Sequence, residues 1–207
     1  NINMVDIVID VFDGSCAGPS IYCAFGNTDF QLTGLTANTN YYIRVSSNSA
    51  FGAGGAHSVC VSVPPVPPAN DLCENAIPVA CNSVTSGTTV ASTTIGNPGF
   101  CDTDLSTAGG VWYTVQGWGG QMTASTCSAV GYDTKMGVFT GSCGAFTCVA
   151  GNDDAACTFS GLRSSVTWTG AVGTTYYIYV TGFSANTGDF ELTVSCGDTN
   201  PACTENG

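Results

Sequence analysis

Charge is scarce in this sequence. Only 9% of its 207 residues are Asp, Glu, Lys or Arg, against roughly 25% in an average soluble protein. Cations are rarer still: Lys and Arg number 3 and His 1, against 15 Asp and Glu, for a formal net charge of -12. A nucleic-acid binder needs a basic face to displace counterions from phosphates, so that class is excluded. A polybasic membrane contact is excluded for the same reason. With His57 as the one histidine, a two-histidine metal site cannot be built, and any Ser-His-Asp or Cys-His device would have to use that residue. It sits in a Gly-rich stretch with no evident partner and reads as a solvated loop side chain. No run of about 18 apolar residues occurs, so nothing in the sequence has the length and apolarity of a membrane-spanning helix. A signal peptide is also lacking, and Asn1 opens an ordinary polar–apolar pattern, so the sequence reads as a mature or excised portion of a longer precursor.

What is abundant is glycine and cysteine, 27 and 12 residues. So many cysteines beside so few charges point to an oxidising, extracellular compartment where disulfides persist. The segments between the Gly, Asn and Asp clusters alternate polar and apolar residues at period two. Gly110–Gln116, Gln121–Cys127, Ser164–Thr169, Thr175–Thr181 and Asp189–Ser195 are the clearest, and their Val, Ile, Thr, Tyr and Trp suit a pleated surface. No stretch holds a helical period over three turns. The expected fold is all-β: tandem antiparallel β-sandwiches of jelly-roll or immunoglobulin-like type, stapled by disulfides.

Four prolines in the five residues 64–68 form a semi-rigid extended spacer. It divides the chain into residues 1–63, a partial or reduced sandwich, and residues 69–197, a complete one. The two parts are related. Asp6 aligns with Asp133, Val11-Phe12 with Val138-Phe139 and Gly14-Ser15-Cys16 with Gly141-Ser142-Cys143, all at one offset. Tyr41-Tyr42-Ile43 then answers Tyr176-Tyr177-Ile178, Cys23 answers Cys148, and Cys60 falls near the position of Cys196. Residues 1–63 thus match only the second half of 69–197. The tail, 198–207, resembles the opening of a further repeat, since Asn200 to Asn206 echoes Asn70 to Asn75. Half a sandwich exposes strand edges and an apolar face. Its missing strands are expected from the same polypeptide or from a neighbouring subunit by strand addition.

Taken in order, Asn70-Asp71-Leu72-Cys73-Glu74-Asn75-Ala76, Val111-Trp112-Tyr113, Tyr132-Asp133-Thr134, Val138 to Cys143, Asn152-Asp153-Asp154, Thr175 to Ile178 and Gly188 to Leu192 resemble the bacterial pre-peptidase C-terminal domain. That resemblance implies a jelly-roll β-sandwich, usually non-catalytic, accompanying secreted peptidases, adhesins and other surface proteins; some of its members bind calcium or polymeric substrates. In the first part, Leu32 to Tyr41 followed by Ile43-Arg44-Val45 is also similar to the latter half of a fibronectin type III domain. There Tyr41 would be the corner tyrosine whose hydroxyl ties the loop to the backbone.

Close spacing across a turn predicts disulfides Cys16–Cys23 and Cys143–Cys148, followed by Cys73–Cys81 and Cys127–Cys157. Cys60, Cys101, Cys196 and Cys203 stay unassigned, and zinc is set aside because CxxC-like spacing is absent. The candidate calcium ligands are Asp133, Asn152, Asp153, Asp154 and Asp189, with Asp6, Asn27 and Asp29 as their counterparts in the first part. Calcium takes six to eight oxygens, which such loops can offer. The competing reading is that these side chains cap turns. Trp118, in Gly117-Trp118-Gly119-Gly120, is the expected exposed aromatic for a ligand, whereas Trp112 and Trp168 fall within alternating strands. Lys135, the single lysine, reads as a solvated strand side chain; an isopeptide bond, as in some surface fibres, is its other reading.

The expected function is therefore non-catalytic and extracellular: a repeat unit or subunit of a surface fibre or adhesin, self-associating head to tail. The alternative is a polysaccharide- or protein-binding accessory module of a secreted protein.

Overall fold

The computed structural model describes residues 7–15, 17–26, 30–47, 58–63 and 65–197. The chain divides into two units, Asn1–Ser62 and Val63–Gly207.

In the first unit the described residues form one antiparallel sheet, β1 (Ile7–Asp13), β2 (Ser20–Phe25) and β3 (Tyr41–Ser47), in the order β2-β1-β3. β1 is the central strand, and its Asp10, Val11 and Phe12 are the buried residues of this sheet. Asp10 lies opposite Arg44, Val11 opposite Ile43 and Phe12 opposite Tyr42. Arg44 donates to Asp10 Oδ2 from Nε at 3.0 Å and Nη2 at 2.7 Å, and its guanidinium covers the Phe12 ring at 5.2 Å. A bulge falls between Val11 and Phe12 in the pairing with β2. The hydroxyl oxygen of Tyr41 accepts the backbone N–H of Thr36 at 2.8 Å. Asp6, Asn27, Asp29, Cys16 and His57 lie outside the described residues.

The second unit is a β-sandwich. Its first sheet contains β4 (Ile77–Pro78), β8 (Gly110–Gln116), β10 (Thr134–Ser142), β11 (Ala145–Asn152) and β13 (Thr175–Gly182), ordered β11-β10-β13-β8-β4. The second contains β5 (Ser83–Thr88), β9 (Gln121–Ser125), β12 (Ser165–Thr169) and β14 (Asp189–Cys196), ordered β12-β9-β14-β5. All pairs are antiparallel except the short β4–β8 contact. A two-stranded ribbon, β6 (Phe100–Cys101) with β7 (Thr103–Asp104), pairs with neither sheet.

Period-two alternation sorts the side chains. Val111, Tyr113 and Val115 of β8, Met136 and Val138 of β10 and Ile178 and Val180 of β13 meet Met122, Val166, Trp168, Phe190 and Leu192 from the other sheet in the main core. At roughly 25 cal/mol per Å² of apolar surface removed from water, this layer dominates the unit's stabilisation. β8 is buried on both faces because Trp112, pointing the other way, joins Phe139, Tyr179, Leu105, Cys73 and Cys101 in a second cluster on the outer side of the five-stranded sheet. Trp112 stacks on Phe146 at 4.7 Å between ring centroids. The opening segment extends this sheet. Asn70 Nδ2 donates to the Trp112 carbonyl and Trp112 N–H to the Asn70 carbonyl, both at 2.9 Å, while the Asp71 carboxylate accepts from Thr93 N–H and Oγ1–H.

Among the described residues four disulfides staple this unit: Cys73–Cys143, Cys81–Cys196, Cys101–Cys148 and Cys127–Cys157. Of the pairs read from spacing, Cys127–Cys157 is present, and Cys143–Cys148 and Cys73–Cys81 are replaced by others. Cys148 sits opposite Phe139, while Cys143 lies beyond the last hairpin rung, Ser142–Ala145. At about 3.3 Å per residue along a strand the two are farther apart than a disulfide spans. Cys73 and Cys81 are separated by the sheet itself: Cys73 belongs to the outer cluster and Cys81 packs against the main core. Cys23 and Cys60 carry exposed free thiols, and Cys16, the partner read from spacing, lies outside the described residues.

The strand pairing of β2-β1-β3 corresponds in register to that of β11-β10-β13. Val11 opposite Ile43 and Phe12 opposite Tyr42 correspond to Val138 opposite Ile178 and Phe139 opposite Tyr177. The bulge between Val11 and Phe12 has its counterpart between Val138 and Phe139. That register corrects one alignment. Cys23, opposite Asp10, takes the place of Gly151 opposite Gly137, and the counterpart of Cys148 is Ser20. In the second unit β13 continues the sheet to β8, and Ile178 is fully buried; in the first, Ile43 is 40% exposed.

Candidate functional site

Three strand ends converge at one corner of the sandwich. β10 begins at Thr134, directly after Asp133, and Lys135 is its second residue. β11 runs antiparallel to β10 and ends with Asn152 opposite Met136, so Asp153 and Asp154 arrive beside the start of β10. β13 ends with Gly182 opposite Thr134, which places Phe183 at the same corner.

The carboxylates of Asp133, Asp153 and Asp154 offer oxygens within 4.8 Å of one another. Lys135 lies against them. Its side chain is 7% exposed, and Nζ sits 3.2 Å from Asp153 Oδ2, 3.3 Å from the Asp104 carbonyl it donates to, and 4.9 Å from the centroid of the Phe183 ring. The reading of Lys135 as a solvated side chain is thus corrected. On β10 the residues from Thr134 to Phe139 are all buried, and a carboxylate, a carbonyl and an aromatic face surround the Lys135 amino group there. Asp133 Oδ1 and Asp153 Oδ1 are buried with no hydrogen-bond partner. Burial pushes the Asp133 carboxyl above the usual carboxylate range, and the neighbouring Asp153 and Asp154 charges push it the same way.

The remaining predicted ligands are used elsewhere. Asn152 Oδ1 accepts the Ser165 N–H at 3.0 Å and its Nδ2 donates to the Asp154 carbonyl at 3.2 Å, the turn-capping alternative. Asp189 is exposed at the start of β14 and lines a shallow depression with Ser86, Val130 and Glu191. Calcium at this corner would have to share Asp153 with Lys135.

The corner is braced from beneath. Buried Ser164 donates through Oγ to the carbonyls of Thr134 and Asp153, at 2.5 and 2.7 Å, tying the start of β10 to the segment after β11. Sequence reasoning missed Ser164; nothing separates it there from the other serines of a polar stretch.

Trp118 is 48% exposed in the turn between β8 and β9, and its indole N–H donates to the Gly197 carbonyl at 3.0 Å. Trp112 and Trp168 are core residues, 0% and 5% exposed.

No family model matches the chain, and no curated protein matches it. Among solved structures, it is similar to the pre-peptidase C-terminal domain of the collagenase from Bacillus anthracis, seen in a 1.0 Å crystal structure. The identity is 16% and the TM-score 0.36, over 58% of this chain and 94% of that one.

Proposed function

We propose that this chain is a non-catalytic extracellular structural protein, a unit of a surface fibre or adhesin assembled head to tail by strand complementation. The observation that carries this reading is the first-unit sheet. It reproduces the register and bulge of β11-β10-β13. Among the described residues, however, it has no counterpart of β8 on the β3 side and no second sheet over its face. Ile21, Phe25, Tyr42 and Ile43 are exposed by 40% or more, which is the apolar and edge surface that an added strand covers. Four disulfides in the second unit fit an oxidising compartment.

Electron microscopy of the native material tests the proposal. Regular filaments with an axial repeat of one chain are expected. Monodisperse single particles with a closed first unit would overturn it.

A second reading, a binding module for a polysaccharide or protein polymer, is favoured by one observation, the half-exposed Trp118. Retention on insoluble polymers, lost on Trp118→Ala, is its signature; a purely structural unit is not retained.

A further inference from the structure

We propose that Lys135 and Asp153 join in an intramolecular isopeptide bond, with Asp133 relaying the protons. The proposal stands apart from the fibre reading and rests on the geometry of this corner alone.

Amide formation between two side chains needs an amine held against a carboxyl group, with a proton carrier beside both. Each requirement has a residue. The chain's one lysine is buried and has its Nζ 3.2 Å from Asp153 Oδ2. Holding the reacting groups together in this way replaces a bimolecular encounter by a step of far higher effective concentration. The Phe183 ring shields Nζ from one side. Ser164 Oγ, bonded to the carbonyls of Thr134 and Asp153, fixes the backbones that carry the two partners. Asp133 brings a carboxyl oxygen within 4.8 Å of that of Asp153, and its Oδ1 is buried without a hydrogen-bond partner.

The step balances within the chain. Within the ion pair a proton passes from Nζ to the Asp153 carboxylate, giving a neutral amine and a carboxylic acid. The Nζ lone pair attacks Cγ of Asp153, and a new C–N bond forms. Asp133 takes a proton from the nitrogen and returns one to the departing oxygen. The C–O bond breaks and one water leaves. An ammonium and a carboxylate become an amide plus water, with no change of oxidation state and no co-reactant. The product ties the second residue of β10 to the residue after β11.

Mass spectrometry of the reduced intact chain tests this directly. The expected mass is one water below that of the sequence. A protease digest should contain a branched peptide joining the Lys135 segment to the Asp153 segment. Lys135→Arg restores the full mass. Asp153→Asn loses ammonia in place of water, since the amide nitrogen then departs. Asp133→Asn leaves the chain at full mass, and the unreduced spectrum shows through its disulfides whether that variant has folded. A folded wild-type chain at full mass, cut by trypsin after Lys135, overturns the proposal. Bond formation undiminished in Asp133→Asn overturns the relay.

Discussion

Tyr41 and Thr36 are joined by a hydrogen bond that recurs in the second unit between Tyr176 and Ala171. In each pair the tyrosine hydroxyl oxygen accepts the backbone N–H five residues upstream, at 2.8 and 2.9 Å. Tyr41 opens β3 and Tyr176 is the second residue of β13, the two strands that run in matching register beside β1 and β10. The corner fixes how the chain enters the strand, and so helps to set that register. Tyr176→Phe keeps the ring, which is 4% exposed, and removes the acceptor. A loss of about 1 kcal/mol in the unfolding free energy of the second unit is expected, read from urea denaturation with an unchanged slope.

The disulfides should differ in what they contribute. Cys81–Cys196 closes 115 residues and Cys127–Cys157 closes 30. The chain-entropy argument makes removal of the first by Cys81→Ser with Cys196→Ser costlier by about 1 kcal/mol. Thermal unfolding of the two double variants at equal concentration compares them; equal midpoints would refute the ordering.

Gly151 is required for close approach. A methyl group there would lie 1.8 Å from the Cys101 carbonyl oxygen, a backbone atom held by the Cys101–Cys148 bond. The N–H of Gly151 also donates to Asp102 Oδ2 at 3.0 Å. Gly151→Ala should destabilise the unit by about 1–3 kcal/mol through overpacking. Gly161→Ala, where the nearest atom is 4.0 Å away, should change stability by less than about 0.5 kcal/mol. Chemical denaturation of the pair decides.

In the first unit the Arg44 guanidinium holds the Asp10 carboxyl below the usual carboxylate range, with a contribution from the Cys23 thiol. A carboxylate with a depressed folded value stabilises the fold above its unfolded value, and that contribution is lost as pH falls through the folded one. The signal of the first unit should therefore weaken as pH falls below about 4, and Arg44→Met should flatten the decline. Reciprocally, hydrogen bonding to Asp10 pushes the Cys23 thiol up. Alkylation of Cys23 at mildly alkaline pH should be faster in Asp10→Asn, because the thiolate is the nucleophile; an unchanged rate would remove Asp10 from the account.

The strands were legible because their period was unbroken. Gly110–Gln116 is read to the residue, and Asp189–Ser195 falls one residue short of β14. Pairing across the sandwich was not, because it depends on which strands become neighbours. Cys81 and Cys196 continue the ladder in which Ser83 faces Val194, a relation that appears only once β5 is known to lie beside β14. The candidate corner was half legible. Asp133, Asp153 and Asp154 were grouped by sequence and are grouped in space. Lys135 was misread because a charged residue on an alternating strand is ordinarily placed on the solvent face, and β10 is buried on both. Asn152 and Asp189 were drawn in by residue type alone, and local backbone bonds or exposure account for them.

The Cys81–Cys196 bond also decides how the second unit behaves under tension. The two cysteines lie just before β5 and at the end of β14, so the bond encloses both sheets except for β4. Once the segment ahead of Cys81, with β4 and the Asn70 contacts, has been peeled away, a pull applied through the flanking segments crosses through that covalent link, and the residues enclosed by it cannot be drawn out. Such a unit cannot be drawn out into an extended chain while the bond is intact. Its length under force is set by a pair of sulfur atoms, and reduction would turn it from an inextensible spacer into a spring.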